Sequence, residues 1–235
     1  MGVPSHKPLW LPWAVYGLLA ALGVALAWLQ RGQVLTAPTA GDLLGEPATA
    51  LWLGLALSLL VTALTLWSTR WLVEHTRWAR SLHGSLRGVS LGSSSRRLLL
   101  LALSSALAEE LFFRAALLPM VGLWASSALF GALHVSSSRA ALVPWMLWAA
   151  LMGAVFGLLF LGSGSLLPPL LAHAAINYGN MRYLCGEPEP SLARATSTFF
   201  RFSSGSTRRA SSARVRARAR VSTRIRIHGE RWRRL

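Results

Sequence analysis

Cysteine is almost missing from this chain of 235 residues: Cys185 stands alone, which excludes an intramolecular disulfide and any multi-cysteine zinc site. Charge is scarce as well. Asp, Glu, Lys and Arg together make up 14% of the residues against 53% hydrophobic ones, and mean hydropathy is +0.45. That balance excludes an ordinary soluble enzyme and describes an integral membrane protein. Acidic groups are the scarcest charged class, eight against 24 basic, for a formal charge of +16. The excess is uneven. Residues 1–190 carry eleven Lys or Arg and seven Asp or Glu, whereas 191–235 carry thirteen Arg and one Glu. The basicity therefore belongs to a tail, and no nucleic-acid partner is expected.

The chain does have long apolar runs. A bilayer core ~30 Å thick needs ~20 apolar residues per helix, and Leu9 to Gln30 meets that length with Trp10, Trp13 and Trp28 near its ends, where interfacial aromatics sit. Ala25-Leu26-Ala27 imitates a signal-peptide cleavage site, but the run is long for an h-region and is read as a retained span. Further spans are expected over Ala48 to Thr69, Leu98 to Leu118, a shorter Val121 to Ser137 after a break at Pro119, Ala141 to Leu161, and Leu166 to Leu184. Gly153-x-x-x-Gly157 would let a neighbouring helix approach the fifth span closely. The segment Arg70 to Arg97, with six arginines, is too charged to cross; a surface-lying amphipathic helix is expected at Trp71 to Leu82.

The expected fold is thus all-α, a polytopic transmembrane bundle of about six spans with a disordered basic tail. Its divisions are 1–97 (two spans and a basic loop), 98–190 (a membrane core) and 191–235 (the Arg/Ser-rich tail). The positive-inside rule puts Lys7, the basic loop, Arg139 and both termini in the cytoplasm and leaves Arg31 outside. Anionic lipids are the expected partners of the basic loop and tail.

Within the third span stands Glu109-Glu110-Leu111-Phe112-Phe113-Arg114. Ionisable groups at membrane depth are costly and mark function by default. Glu110 and Arg114 are spaced to pair on one helix face, which leaves Glu109 free. His134 lies on the fourth span, and His173 and Asn177, four apart, share a face of the sixth. A carboxylate that takes a proton from water, an imidazole that relays it, and donors for a developing oxyanion suit peptide hydrolysis without a covalent intermediate. The same groups fit a buried ion pair that locks packing, or the proton path of a transporter. Ser104 and Ser105 lie on the glutamate helix, where serines usually bond back to the backbone.

Glu109-Glu110-x-x-x-Arg114, Phe130-x-x-x-His134 and His173-x-x-x-Asn177, in this order on successive apolar segments, resemble the three motifs of the CPBP family. These are the CAAX proteases and bacteriocin-processing enzymes, also called the Abi family, which includes the Ras-converting CAAX endopeptidase. The resemblance covers about Leu98 to Leu184. It implies that Glu109 activates water with His134 beside it, that His173 and Asn177 form an oxyanion site, and that Glu110 and Arg114 are a structural ion pair with Phe130 packing nearby. Glu109, His134 and His173 could also supply a three-ligand zinc site; the metal-free glutamate mechanism is favoured, so no cofactor is expected. The implied activity is an intramembrane endopeptidase of a bacterial inner membrane, acting on a membrane-associated protein or leader peptide. A transporter or proton-relay protein, or a catalytically silent immunity or scaffold protein, is the alternative.

Overall fold

The computed structural model describes residues 10–37, 46–90 and 93–186. All fall in the first of the two units into which the chain divides, Met1–Glu187 and Pro188–Leu235. The tail expected at 191–235, Lys7 and the loop around Asp42 lie outside the described residues.

The described part is all-α: α1 (Leu11–Arg31), α2 (Pro47–His75), α3 (Arg77–Ser90), α4 (Ser95–Glu109), a π-helical segment (Glu110–Leu117), α5 (Leu118–Leu133), α6 (Arg139–Ser163) and α7 (Leu167–Gly186). Local sequence sets these boundaries. Gly32 and Gly164 close α1 and α6 in the left-handed conformation, at φ 63° and 69°. Pro47 starts α2, where its missing N–H costs nothing. Ser94 caps α4 by accepting from the Arg97 amide at 3.3 Å.

Among the described residues four helical stretches can cross a membrane by length and composition: Leu11–Arg31, Pro47–His75, Ser95–Leu133 and Arg139–Ser163. The third is not one rod. On a straight helix Phe113 and Phe130 would stand ~25 Å apart at ~1.5 Å per residue, yet their rings are 5.0 Å apart and Ser126 Oγ donates to the Phe113 carbonyl at 3.0 Å. The chain reverses at Gly122, whose φ of 82° and ψ of 169° are open essentially to glycine alone.

This corrects the sequence reading in three places. The break falls at Gly122 rather than Pro119, because a proline in the first turn of a helix is tolerated. The returning limb, Leu123–Leu133, is only ~16 Å long at ~1.5 Å per residue, too short for the expected fourth span. The amphipathic helix begins at Arg77 rather than Trp71, because α2 runs on to His75 before Thr76 turns extended. The sixth expected span corresponds to α7, which is long enough but is not among the four most apolar stretches.

Packing places the polar residues inward. One core cluster joins Ala27 of α1 to Leu111, Ala115 and Ala116 of the π segment and to Phe160 of α6; another joins Met152, Phe156 and Leu159 of α6 to Ala172 and Ile176 of α7. Leucines such as Leu18, Leu59, Leu147 and Leu158 are exposed on the outside, as lipid-facing residues must be. The small Gly153 and Gly157 of α6 face α5: a Cβ on Gly153 would sit 3.2 Å from the Ser127 Cα. Helix α3 lies against α2, α6 and α7, burying Ala79, Leu82 and His83 and leaving Arg77 exposed.

Candidate active site

Glu109 ends α4 and Glu110 opens the π segment, so the change of helical repeat falls between the two carboxylates. Such wide turns are frequent at functional sites. Glu110 and Arg114 are almost wholly inaccessible, 0% and 1% exposed, and Arg114 Nη1 stands 3.1 Å from Glu110 Oε1. Nη1 makes no aligned hydrogen bond, so the contact is Coulombic, as expected of a buried counter-charge. Arg114 Nη2 donates to the Gly153 carbonyl at 3.3 Å, and its guanidinium lies 4.4 Å from the Phe130 ring centre. Phe130 thus packs on the pair.

The histidines are oriented by their Nδ1 atoms. His134 Nδ1 is 2.7 Å from the Phe130 carbonyl, which can only accept, so this nitrogen carries the proton. His173 Nδ1 is 2.7 Å from Glu110 Oε1, and Phe156 stacks on its ring at 4.9 Å. In their neutral forms both rings therefore turn a proton-free Nε2 towards Glu109. His173 Nε2 is 3.8 Å and His134 Nε2 4.0 Å from Glu109 Oε2. That oxygen is buried and has no hydrogen-bond partner among the described residues. Either gap is of a width that a water about 2.8 Å from each atom would span.

Asn177 sits one turn beyond His173 and donates through Nδ2 to Ser105 Oγ at 3.0 Å; Ser105 Oγ donates in turn to the Ala102 carbonyl at 3.2 Å. Ser104 likewise bonds back to Leu100, so both serines behave as helix-buried serines do. All six polar residues singled out in the sequence meet in this region, although His173 and Asn177 are held by different partners, Glu110 and Ser105. Four of them, Glu109, His134, His173 and Asn177, line one cavity of about 350 Å³. The cavity continues past Met181 to Leu184 of α7 and to Trp78, Leu82 and Leu86 of α3, a depth of ~16 Å at ~1.5 Å per residue. Its floor is polar and its walls are apolar.

Sequence reasoning missed Phe156, Trp145 and Tyr16, and the role of Ser105 as partner of Asn177. Trp145 meets the His134 ring edge-on at 5.6 Å, and Tyr16 brings α1 into the cavity wall. A signal for Tyr16 existed, since it is the one hydroxyl inside the apolar run of α1. Nothing in the sequence pairs Ser105 with Asn177.

The donor chemistry of two imidazoles and a carboxylate suits zinc, but the spacing does not. Ligands 2.0–2.1 Å from zinc in a tetrahedron stand about 3.4 Å apart, closer than the 3.8 and 4.0 Å measured here. Among the described residues no group of three His, Cys, Asp or Glu is placed to hold a metal ion.

Residues 93–179 match the family model of the type II CAAX prenyl endopeptidases, described as Rce1-like. Over this segment the membrane core is similar to the CAAX proteases. Glu109, Glu110, Arg114, His134, His173 and Asn177 all lie within the Rce1-like segment. The chain is also 27% identical to the uncharacterized protein YpbD of Bacillus subtilis (strain 168) over 129 residues, 54% of this chain and 65% of that protein. It thus spans a little less than two thirds of this relative's length. No solved structure matches. Among the described residues four stretches are long and apolar enough to cross a membrane, two before the Rce1-like segment and two within it, and with that match they mark an integral membrane protein.

Proposed function

We propose that the protein is an intramembrane CAAX-type endopeptidase that hydrolyses a peptide bond with water activated by Glu109. One observation supports this most: Glu109 Oε2, buried and unpartnered, faces two Nε2 atoms whose rings are fixed through Nδ1, at the floor of an apolar cavity. Glu109 takes a proton from the water, and the hydroxide bonds to the scissile carbonyl carbon. The oxyanion accepts from the second N–H of the Asn177 amide and from His173 Nε2. For this step His173 carries a proton on both ring nitrogens; once Glu109 has taken the water's proton, Glu110 and the oxyanion balance the charges of His173 and Arg114. When the tetrahedral adduct collapses, the C–N bond breaks and the leaving amine takes the proton from Glu109, with His134 as relay. General acid–base catalysis of this kind contributes roughly 10²–10⁴-fold, and one oxyanion donor about 10²–10³-fold.

The walls contributed by Leu72, Leu82, Trp148, Met152 and Ile176 suit a lipid-modified segment, and the proposed substrate is a membrane-associated peptide with a prenylated C-terminal CAAX sequence. The test is cleavage of an internally quenched, farnesylated CAAX peptide by the protein in liposomes, run in H₂¹⁸O. Release of a product with one ¹⁸O in its new carboxyl group and no peptide bound covalently to the protein is expected. A trapped acyl-enzyme would refute the water mechanism, and cleavage only of unprenylated leader peptides would refute the substrate class.

A further inference from the structure

Pro119 stands where the donor to the Ala115 carbonyl belongs. In an α-helix the amide of residue 119 closes onto the carbonyl of residue 115, and proline has no N–H to give. In the wider i→i+5 pattern the same proline fails the carbonyl of residue 114, so the π ladder ends with the Leu118 amide on Phe113. A side chain from another helix meets the Ala115 carbonyl. Arg31, the last residue of α1, donates to it through Nη2 at 2.5 Å and to the Thr36 carbonyl through Nη1 at 2.6 Å. Thr36 bridges Ser165, and the Leu166 amide donates to the Leu35 carbonyl at 2.9 Å at the start of α7.

One guanidinium therefore fastens three things together: the end of α1, the π segment that carries Glu110, and, through the 35–37 strand-like turn, the helix that carries His173. The Glu110–His173 bond of 2.7 Å lies between the elements fastened in this way. About two turns before Arg31, α1 also approaches the same π segment closely. A Cβ on Gly23 would stand 2.7 Å from the Leu111 and Phe112 backbone.

We propose that Arg31 is a positioning residue, a clamp that replaces the donor lost at Pro119 and so fixes the register of the π segment and with it Glu109 and Glu110 against His134 and His173. Its effect on turnover rests on the endopeptidase reading, whereas the clamp itself does not.

The experiment is a double-mutant cycle between Arg31→Leu and Pro119→Ala on the full chain, read by melting temperature in detergent and by kcat and KM on the farnesylated peptide in liposomes. In the wild-type background Arg31→Leu lowers the melting temperature by about 3 °C and kcat about ten- to a hundredfold, with KM within about twofold, because misplacement by an ångström is that costly. With Pro119→Ala, which returns an N–H to the position, the same substitution costs less than half as much in both readouts. Arg31→Lys, which keeps one donor, recovers most of the rate. Should Arg31→Leu fail to fold, Arg31→Lys is carried through the same cycle with Pro119→Ala. Melting shifts that simply add, or a loss confined to KM, would overturn the clamp. Coupled melting shifts in a protein that cleaves no peptide would leave the clamp standing and refute the endopeptidase reading instead.

Discussion

Adjacent in sequence, Glu109 and Glu110 are turned about 100° apart by a helical repeat, and each meets a different set of partners. Glu110 is closed off between Arg114 and His173, while Glu109 faces the cavity. Substitutions should therefore separate them. Glu109→Gln keeps shape and removes the base, so the rate should fall by ~10² or more at unchanged melting temperature; a variant with over a tenth of the wild-type rate contradicts the assignment. Glu110→Gln still accepts from His173 Nδ1 but strands the Arg114 charge, and Arg114→Leu strands Glu110. Breaking a buried pair in this way costs about 3–5 kcal/mol, so both should lower the melting temperature of the detergent-extracted protein, and unchanged melting would show that the pair contributes nothing. The Glu110–Arg114 contact was legible beforehand, because the i, i+4 spacing alone couples the two. The His173–Glu110 bond was not, since it joins α7 to the π segment and depends on how two helices far apart in sequence pack.

At the scale of the element, the reversal at Gly122 brings His134 back beside Glu109. Sequence showed a break in the apolar pattern, but Pro119 is the more conspicuous residue and a glycine does not announce a positive φ. A Cβ at Gly122 meets no other atom within 4 Å, so Gly122→Ala tests backbone strain without crowding. It should cost ~1–3 kcal/mol and reduce cleavage, because the turn sets the register of α4 against α5. A second comparison uses α1. Gly23→Ala forces its Cβ against backbone on the π segment, whereas a Cβ on Gly17 meets nothing within 4 Å. Overpacking costs ~1–3 kcal/mol, and Gly→Ala in an open helix gains ~0.5–1 kcal/mol. The two substitutions should therefore shift the melting temperature in opposite directions. A drop for both would show that α1 is held by something other than its contact with the π segment.

For the whole molecule, composition was enough to indicate a helical membrane protein, whereas the number of crossings depended on a reversal that hydropathy cannot see. Two properties are tested on the intact protein. Because the Glu109–histidine spacings exceed those of a zinc site, purified protein should carry well under one equivalent of zinc and keep its rate after chelation. Activity lost to a chelator and restored by zinc would make Glu109 a ligand instead of a base. The second concerns residues 191–235, with thirteen arginines and one glutamate. The six polar site residues lie between Glu109 and Asn177, and the helices that carry them bury apolar faces against one another. Thirteen like charges with few apolar neighbours repel one another and gain little from packing, while each basic residue near an anionic leaflet gains up to ~1 kcal/mol. A protein truncated after Pro190 should insert, melt as the full chain does and cleave at the same rate. The full chain should differ only in binding anionic vesicles more tightly at low salt, an advantage that vanishes as salt screens the charge. Loss of folding or of cleavage at saturating substrate in the truncated protein would make the tail part of the enzyme.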